Sequence, residues 1–463
     1  MIHLFSNNGL DVVLDVNSAA VHLVDETTAA VVRLLTGIKE DWKADEMTQP
    51  DVVCAIEEGL PDVTADEIRE ITDELNELVK AGRLFSVDPY EELVPKVMQN
   101  KTVVKALCLN VAHDCNLACK YCFAEEGEYH GGRGIMSAEV GKKALDFLVR
   151  ASGARKNLEV DFFGGEPLLA LDTIRETVAY GRSLEEKTGK KFRFTMTTNG
   201  VLLNKDVEEF ANREMHNVVL SLDGRKEIND RTRPFPGGQG SYDLIVPKLR
   251  SMAKAREGRQ YYLRGTFTCQ NLDFTEDILH FYDLGFREIS MEPVVTDDPR
   301  FMITEDDVPV IKEQYDKLVR IMNEKRALGD PFTFFHFMID LEGGPCVYKR
   351  MSGCGAGTEY LAVTPWGELY PCHQFVGQED FKMGDVETGI TRPDIADQFR
   401  KVNLYTKEDC RNCFAKFYCG GGCMANAYNC SGTLGGEYAV GCELERKRVE
   451  CAIALKAFGS EEV

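Results

Sequence analysis

The spacing of hydrophobic residues changes along the chain. Up to about residue 95, short alternating runs come first, HLFSNN, LDVVLDV and AVHLVD. They are interrupted by the turn-forming Asn7-Asn8-Gly9 and Asn17-Ser18, and they read as β-strands. The period then lengthens. Between Ala65 and Gly82, Ile68, Ile71, Leu75 and Leu78 recur at three- and four-residue intervals ahead of the glycine, which predicts an amphipathic helix with a glycine stop. LFSVDPYEELVP predicts a short strand and a linker.

From residue 103 to about 295, β-rich runs (VVKALCLNVA, NLEVDFFG, FRFTMTTN, NVVLSLDG, YYLRGTFT, FREISMEPV) alternate with helical patterns near 137–151, 170–188, 204–214, 241–257 and 276–284. This alternation predicts an α/β fold with a parallel sheet. Six units rather than eight predict a partial, TIM-like (β/α)6 barrel, open on one side, with functional groups at the C-terminal strand ends. A further helix, about 305–328, leads through FTFFHFMID into a tail dense in cysteine: ten of the sixteen lie between Cys346 and Cys451. The expected domains are 1–95, 103–330 and 340–463.

Composition narrows the function. An apolar fraction of 44% with no run approaching a membrane span predicts a soluble protein. The opening MIHLFSNNGLDVVLDVN lacks the basic and apolar regions of a signal peptide, so a cytoplasmic location is expected. A net charge of −22 argues against nucleic acid as a partner, because phosphate binding needs concentrated Lys and Arg. Thiols in the cytosol stay reduced and free for metal, so sixteen cysteines suggest metal rather than disulfides.

Just after the first strand of the second region comes Cys115-Asn-Leu-Ala-Cys119-Lys-Tyr-Cys122, which offers three thiolates on a loop. A 4Fe–4S cluster held by three thiolates keeps one iron open to an outside ligand. Zinc is the competing reading, but it usually takes four protein ligands, and nearby His113 is expected to pack locally. Other strand ends carry Gly164-Gly165-Glu166-Pro167, Thr197-Thr198-Asn199-Gly200 and Ser221-Leu222-Asp223-Gly224, the last followed by Arg231-Thr-Arg233-Pro234. The two glycines allow close backbone approach, and a strand-end carboxylate can pair with an ammonium.

The triplet and these strand ends resemble the radical S-adenosylmethionine (SAM) superfamily. That resemblance implies that SAM binds the open iron of the cluster and is cleaved by one electron to methionine and a 5′-deoxyadenosyl radical, which takes a hydrogen from the substrate. It makes Cys115, Cys119 and Cys122 the cluster ligands and sets Tyr121 against the adenine. Gly164, Gly165, Glu166 and Pro167 fall on the amino group, Asn199 on the SAM site, Ser221 on the ribose and Arg233 on the carboxylate, with Arg231 as the alternative.

The tail contains Cys354, then Gly367-Glu-Leu-Tyr-Pro-Cys372, then Cys410-x2-Cys413-x5-Cys419-x3-Cys423, then Cys442. This order and spacing resemble the SPASM domain. The resemblance implies two auxiliary 4Fe–4S clusters, three clusters in all. Cys410, Cys413, Cys419 and Cys442 would hold one, with Cys430 the weaker alternative for closing it. Cys354, Cys372 and Cys423 would hold three corners of the other, whose fourth ligand is either Cys346 or a substrate thiol. The remaining Cys54, Cys108, Cys269, Cys430 and Cys451 read mostly as buried, inert thiols.

The N-terminal order of short strands and helices resembles the winged-helix peptide-recognition module of enzymes that modify ribosomally made peptides. An exposed strand edge there can capture a leader peptide as an added strand; the competing reading is a structural domain docked on the barrel. MIHLF…GLDVVLDVNSAAVHLVD, CNLACKYCFAEEG, PCHQFVG and CGGGCMANAY together resemble the SCIFF maturases. These act anaerobically on a cysteine-rich precursor peptide with a leader and draw on a low-potential donor such as flavodoxin or ferredoxin. The resemblance implies hydrogen abstraction at an α-carbon, typically of threonine, thioether formation with a cysteine sulfur, and loss of the surplus electron through an auxiliary cluster. His373 stands where sulfatase-maturing relatives place an aspartate base, which argues against formylglycine formation; it either acts as a base or packs beside the cluster. A carbon–carbon or sulfur–β-carbon crosslink would use the same motifs, and a non-enzymatic iron–sulfur carrier is the reading from another class.

Overall fold

A computed structural model describes residues 1–99, 102–256, 258–341 and 347–460. Strands β1 (Ile2–Asn7), β2 (Leu10–Asp15) and β3 (Ala20–Val24) form an antiparallel sheet in the order β1-β2-β3. Helices Glu26–Ile38, Pro50–Gly59 and Ala65–Lys80 follow. The last starts in a reciprocal Thr64–Glu67 cap and stops before Gly82, whose φ of +67° suits a residue with no Cβ. Val31, Val32, Leu35, Ile56, Ile68 and Leu75 fill the core beneath this sheet. The strand expected at LFSV does not form. Leu84 and Phe85 are instead buried in that core, with Phe85 at a left-handed φ of +50° that no strand accommodates.

The central sheet carries the six expected strands in parallel and in chain order: β4 (Ala106–His113), β6 (Asn157–Gly164), β7 (Lys191–Thr198), β8 (Met215–Ser221), β9 (Gln260–Phe267) and β10 (Glu288–Pro293). The short β5 (Gly134–Ile135) pairs antiparallel with β4. The intervening helices lie within a few residues of their predicted positions. Leu158, Val160 and Phe162 of β6 are buried beneath the helices, while Asp161 and Phe163 alternate to the opposite face, as the two-residue period requires. At the opposite end of the strands from the motifs, buried Arg256 donates to the carbonyls of Ala211, Met215, His216 and Gln260 and closes the starts of β8 and β9.

Both edges of this sheet are extended. β11 (Thr333–Phe334) joins β10 in parallel. From the tail, β12 (Tyr360–Val363) joins β4 in parallel, with Tyr360 opposite Ala106. Beyond it β13 (Glu368–Tyr370), β14 (Gly384–Asp385) and β15 (Gly389–Ile390) run antiparallel. The strand path therefore ends unclosed. One continuous core links Leu109 and Phe162 with Leu361, Phe375 and Cys451, so the tail is packed into the sheet rather than tethered to it.

The N-terminal sheet is fastened to the same tail. Phe5, Val12 and Leu14 share a core with Leu404, Phe417, Val449 and Ile453. His3 stacks on Phe414 at 3.4 Å between ring centres and meets Glu450 at 2.9 Å. Asp88 receives Lys416 Nζ at 2.9 Å and the Tyr405 hydroxyl at 2.9 Å, and the Lys416 side chain is only 4% exposed. Among the described residues no helix is long and apolar enough to cross a membrane.

Asp88→Ala strands a buried ammonium, and loss of one partner of such a pair costs roughly 3 kcal/mol. Calorimetric unfolding of D88A is expected at a clearly lower Tm. The D88A/K416M double variant should regain most of that loss, because no unpaired cation remains.

Candidate functional site

The loop after β4 is held from the far side of the sheet: Ala118 N–H donates to Pro234 O at 2.8 Å and Lys120 N–H to Thr232 O at 2.9 Å. These bonds place Cys115, Cys119 and Cys122 around a cavity of about 140 Å³. Tyr121, Gly164, Gly165, Glu166, Pro167, Asn199, Ser221 and Arg233 line the same cavity, so residues from four strand ends converge on the triplet. Burial pushes the Cys115 thiol up to about 11 and the Cys119 thiol up to about 12. Such sites stay protonated until a metal cation displaces the proton.

One buried carboxylate organises this cavity, and sequence reasoning did not single it out. Asp223 has no solvent exposure. It accepts from the Tyr121 hydroxyl at 2.7 and 2.9 Å, from Thr232 Oγ1 at 2.8 Å and from Thr266 N–H at 3.2 Å. Tyr121 in turn receives Arg233 Nη1 at 3.1 Å, and that nitrogen lies 3.7 Å from Asp223. The only advance signal was the strand-end position of Asp223 within Ser221-Leu222-Asp223-Gly224. Arg233 Nε is buried without a hydrogen-bond partner, while Arg231 is exposed on the helix Lys226–Thr232. Of the two arginines, Arg233 is the one that lines the cavity.

The paired glycines also serve a contact within the chain. A Cβ on Gly164 would sit 2.4 Å from Ala112 O, and one on Gly165 would sit 2.2 Å from Asp114 O. The end of β6 thus presses directly on the backbone that leads into the cysteine loop, an approach only glycine permits. The fully buried Glu166 carboxylate, which also lines the cavity, accepts from Leu168 N–H at 3.0 Å, Thr198 Oγ1 at 2.8 Å and Asn199 N–H at 2.8 Å, so it braces the ends of β6 and β7. Asn199 Nδ2 reaches Asn116 Oδ1 at 2.7 Å and comes within 3.7 Å of Cys115 Sγ.

In the tail, Cys410, Cys413, Cys419 and Cys442 line one small, mostly apolar cavity, which Cys430 does not reach. Burial pushes the Cys372 thiol up to about 12, and Cys423 and Cys354 lie near enough to add to that rise; burial and the nearby Cys354 also raise Cys423. Cys346, the candidate fourth ligand, lies outside the described residues. Among those residues, no three Cys, His, Asp or Glu side chains converge on a point as a single metal ion would require. Cys410, Cys413, Cys419 and Cys442 instead surround a cavity, and soft sulfur donors placed so suit an iron–sulfur cluster. The five unassigned cysteines divide: Cys108 and Cys451 are buried as expected, Cys269 is partly buried, and Cys54 and Cys430 are exposed, against the expectation of mostly buried thiols.

Two histidines can be placed. His113 is buried, stacks on Tyr129 at 4.7 Å and meets the Trp366 ring edge-on at 5.2 Å, in keeping with local packing. His373 accepts or donates at Nδ1 to the Tyr360 hydroxyl at 3.0 Å and packs against Phe163 at 5.1 Å and Phe123 at 5.8 Å.

Residues 109–259 match the model of the radical SAM superfamily, and residues 354–414 match that of the SPASM iron–sulfur cluster-binding domain. The mycofactocin maturase MftC of Mycolicibacterium smegmatis is 27% identical over 74% of this chain and 83% of its own length. A cysteine-type anaerobic sulfatase-maturating enzyme of Clostridium novyi is 25% identical over 68% of this chain and 86% of its own. The structure of native anSMEcpe with bound AdoMet superposes with a TM-score of 0.65 at 20% identity, covering 78% of this chain and all of that one, a likeness of fold. The chain carries a radical SAM domain followed by a SPASM iron–sulfur cluster-binding domain.

Proposed function

We propose that this protein is a maturase that joins a cysteine sulfur to the α-carbon of another residue, threonine foremost, in a ribosomally made cysteine-rich peptide. Cys115, Cys119 and Cys122 would hold the SAM-binding 4Fe–4S cluster. Cys410, Cys413, Cys419 and Cys442 would hold one auxiliary cluster, and Cys354, Cys372 and Cys423 three corners of the other. When bound, the first cluster and SAM supply the power to abstract a hydrogen from an unactivated carbon.

The chain's own residues provide position and exclusion. Arg233 offers an unused donor where the SAM carboxylate would lie, and Asp223 fixes both Arg233 and Tyr121. One observation carries the reading. Phe123, directly after Cys122, and Phe163, directly before Gly164, line the first cavity, and both rings pack on His373, directly after Cys372. The sites proposed for hydrogen abstraction and for a substrate thiol would thus lie one aromatic layer apart, an arrangement in which a carbon and a sulfur of one peptide can be brought together. The relatives named as maturases support a protein or peptide substrate.

The assigned parts are leader recognition by residues 1–95, the radical SAM partial barrel at 103–330 and the auxiliary clusters at 340–463. In the first, β3 is an outer strand with no strand partner on its far side among the described residues, suited to capture of an extended leader. A low-potential flavodoxin or ferredoxin would supply electrons.

In the C115A/C119A/C122A variant, SAM cleavage under strong reductant should vanish while auxiliary-cluster absorption and EPR signals persist, with about a third of the iron lost. Continued release of 5′-deoxyadenosine would refute the assignment of the triplet. For the reaction itself, a small cysteine-rich peptide encoded beside this gene is incubated anaerobically with enzyme, SAM and reductant, then reduced, alkylated and weighed by mass spectrometry. A thioether removes two hydrogens and leaves one thiol fewer to alkylate, because reductant opens disulfides but not carbon–sulfur bonds. Hydrogen loss with every thiol still alkylated would move the crosslink to carbon.

A further inference from the structure

Between the two auxiliary cysteine sets lies a cavity of about 280 Å³, bordered by Cys423 from one set and by Cys419 and Cys442 from the other. Arg448, on the helix Ala439–Ser460, projects into its wall and is 7% exposed. Its Nε donates to the Tyr315 hydroxyl at 2.9 Å, its Nη1 lies 3.5 Å from Glu445, and its Nη2 lies 3.7 Å from Glu292 at the end of β10. Nη2 makes no hydrogen bond. A guanidinium cannot shed its proton here, so the cavity wall carries a permanent buried cation between two carboxylates.

The two carboxylates are placed differently. Glu445 also lines the cavity of Cys410, Cys413, Cys419 and Cys442, whereas Glu292 borders the space between the sets, where Cys423 also lies. Lys407 and Arg446 add positive charge beside the Cys410 set, but Arg448 is the cation that meets both Glu292 and Glu445.

We propose that the Glu292–Arg448–Glu445 triad sets the reduction potentials of the two auxiliary clusters and links one to the other. The inference rests on the assignment of Cys354, Cys372 and Cys423, and of Cys410, Cys413, Cys419 and Cys442, as cluster ligands. Reduction adds negative charge to a cluster, so a fixed nearby cation favours it and a fixed anion opposes it, and both effects are large in a buried, low-dielectric site. Arg448 offsets both carboxylates at once. Its removal takes from both carboxylates the guanidinium they share, whereas removal of one carboxylate acts chiefly on the cluster nearer to it. The triad residues are positioning residues; none of them supplies a thiolate.

The test is an anaerobic EPR-monitored redox titration of full-length, reconstituted protein in the C115A/C119A/C122A background, which removes the overlapping signal of the first cluster. Arg448→Met should move both auxiliary midpoints to more negative potential. Glu292→Gln and Glu445→Gln should each move a midpoint positive, and the signal that moves should differ between them. The amide variants preserve shape, so they decide the matter even if Arg448→Met fails to fold. Midpoints that stay put in both amide variants, or that move together by the same amount, overturn the triad. Absence of any auxiliary EPR signal and of tail iron in the parent protein would instead overturn the ligand assignment beneath it.

Discussion

Everything around the first cysteine loop depends on a carboxylate that water never reaches. Asp223 sits between the end of β8 and the helix that follows, and its two oxygens gather a phenol, a hydroxyl and a main-chain N–H from three parts of the chain. A buried anion of this kind is tolerable only when its lone pairs are filled, so the donors are as constrained as the acceptor. Tyr121 cannot turn without uncovering Asp223, and the cysteines on either side of Tyr121 cannot move without turning it. Arg233 then completes the charge balance from the far wall. The loop that carries the three thiols is thus held by the segment after β8 in addition to its own turn, in which Cys122 N–H donates to Cys119 O.

The tail obeys a related rule on a larger scale. Segments short of regular structure, such as 403–423, cannot bury enough apolar surface on their own to fix four thiols in place. They are held by borrowed surface: β12 completes the edge of the central sheet, and the N-terminal strands cover the segment from Leu404 to Phe417. Lys416 stands between Cys413 and Cys419 and is anchored by Asp88, so the geometry of that thiol set depends on a residue more than three hundred positions earlier.

Much of the site was legible because its chemistry is local in sequence. C-x3-C-x2-C is a contiguous loop, and the strand ends carrying Gly164, Asn199, Ser221 and Arg233 follow from βα alternation, which brings every second element to the same end of a sheet. What escaped was non-local. Nothing in the residues near Tyr360 signals that they extend the edge of β4, because a four-residue apolar strand has no period to read. Nor could spacing show that Glu166 spends its carboxylate on Thr198 and Asn199, or that Gly165 is needed for the approach of Asp114, since each is a contact across strands. Arg448 and Glu292 were invisible for the same reason: 156 residues separate them, and only the docking of the last helix brings them together.

The attachment of the N-terminal sheet to the last helix also bears on how the molecule is made. Strand β1 lies more than four hundred positions before the last helix, yet His3 and Asn7 find their partners in Glu450 and Asp316, and Val449 and Ile453 complete the outer face of the sheet. Contacts of such long sequence separation carry a loop-closure cost and are slow to form. The cover over the segment bearing Cys410, Cys413 and Cys419 rests on them. A cofactor held by those thiols would be enclosed only once the N-terminal sheet and the last helix had met.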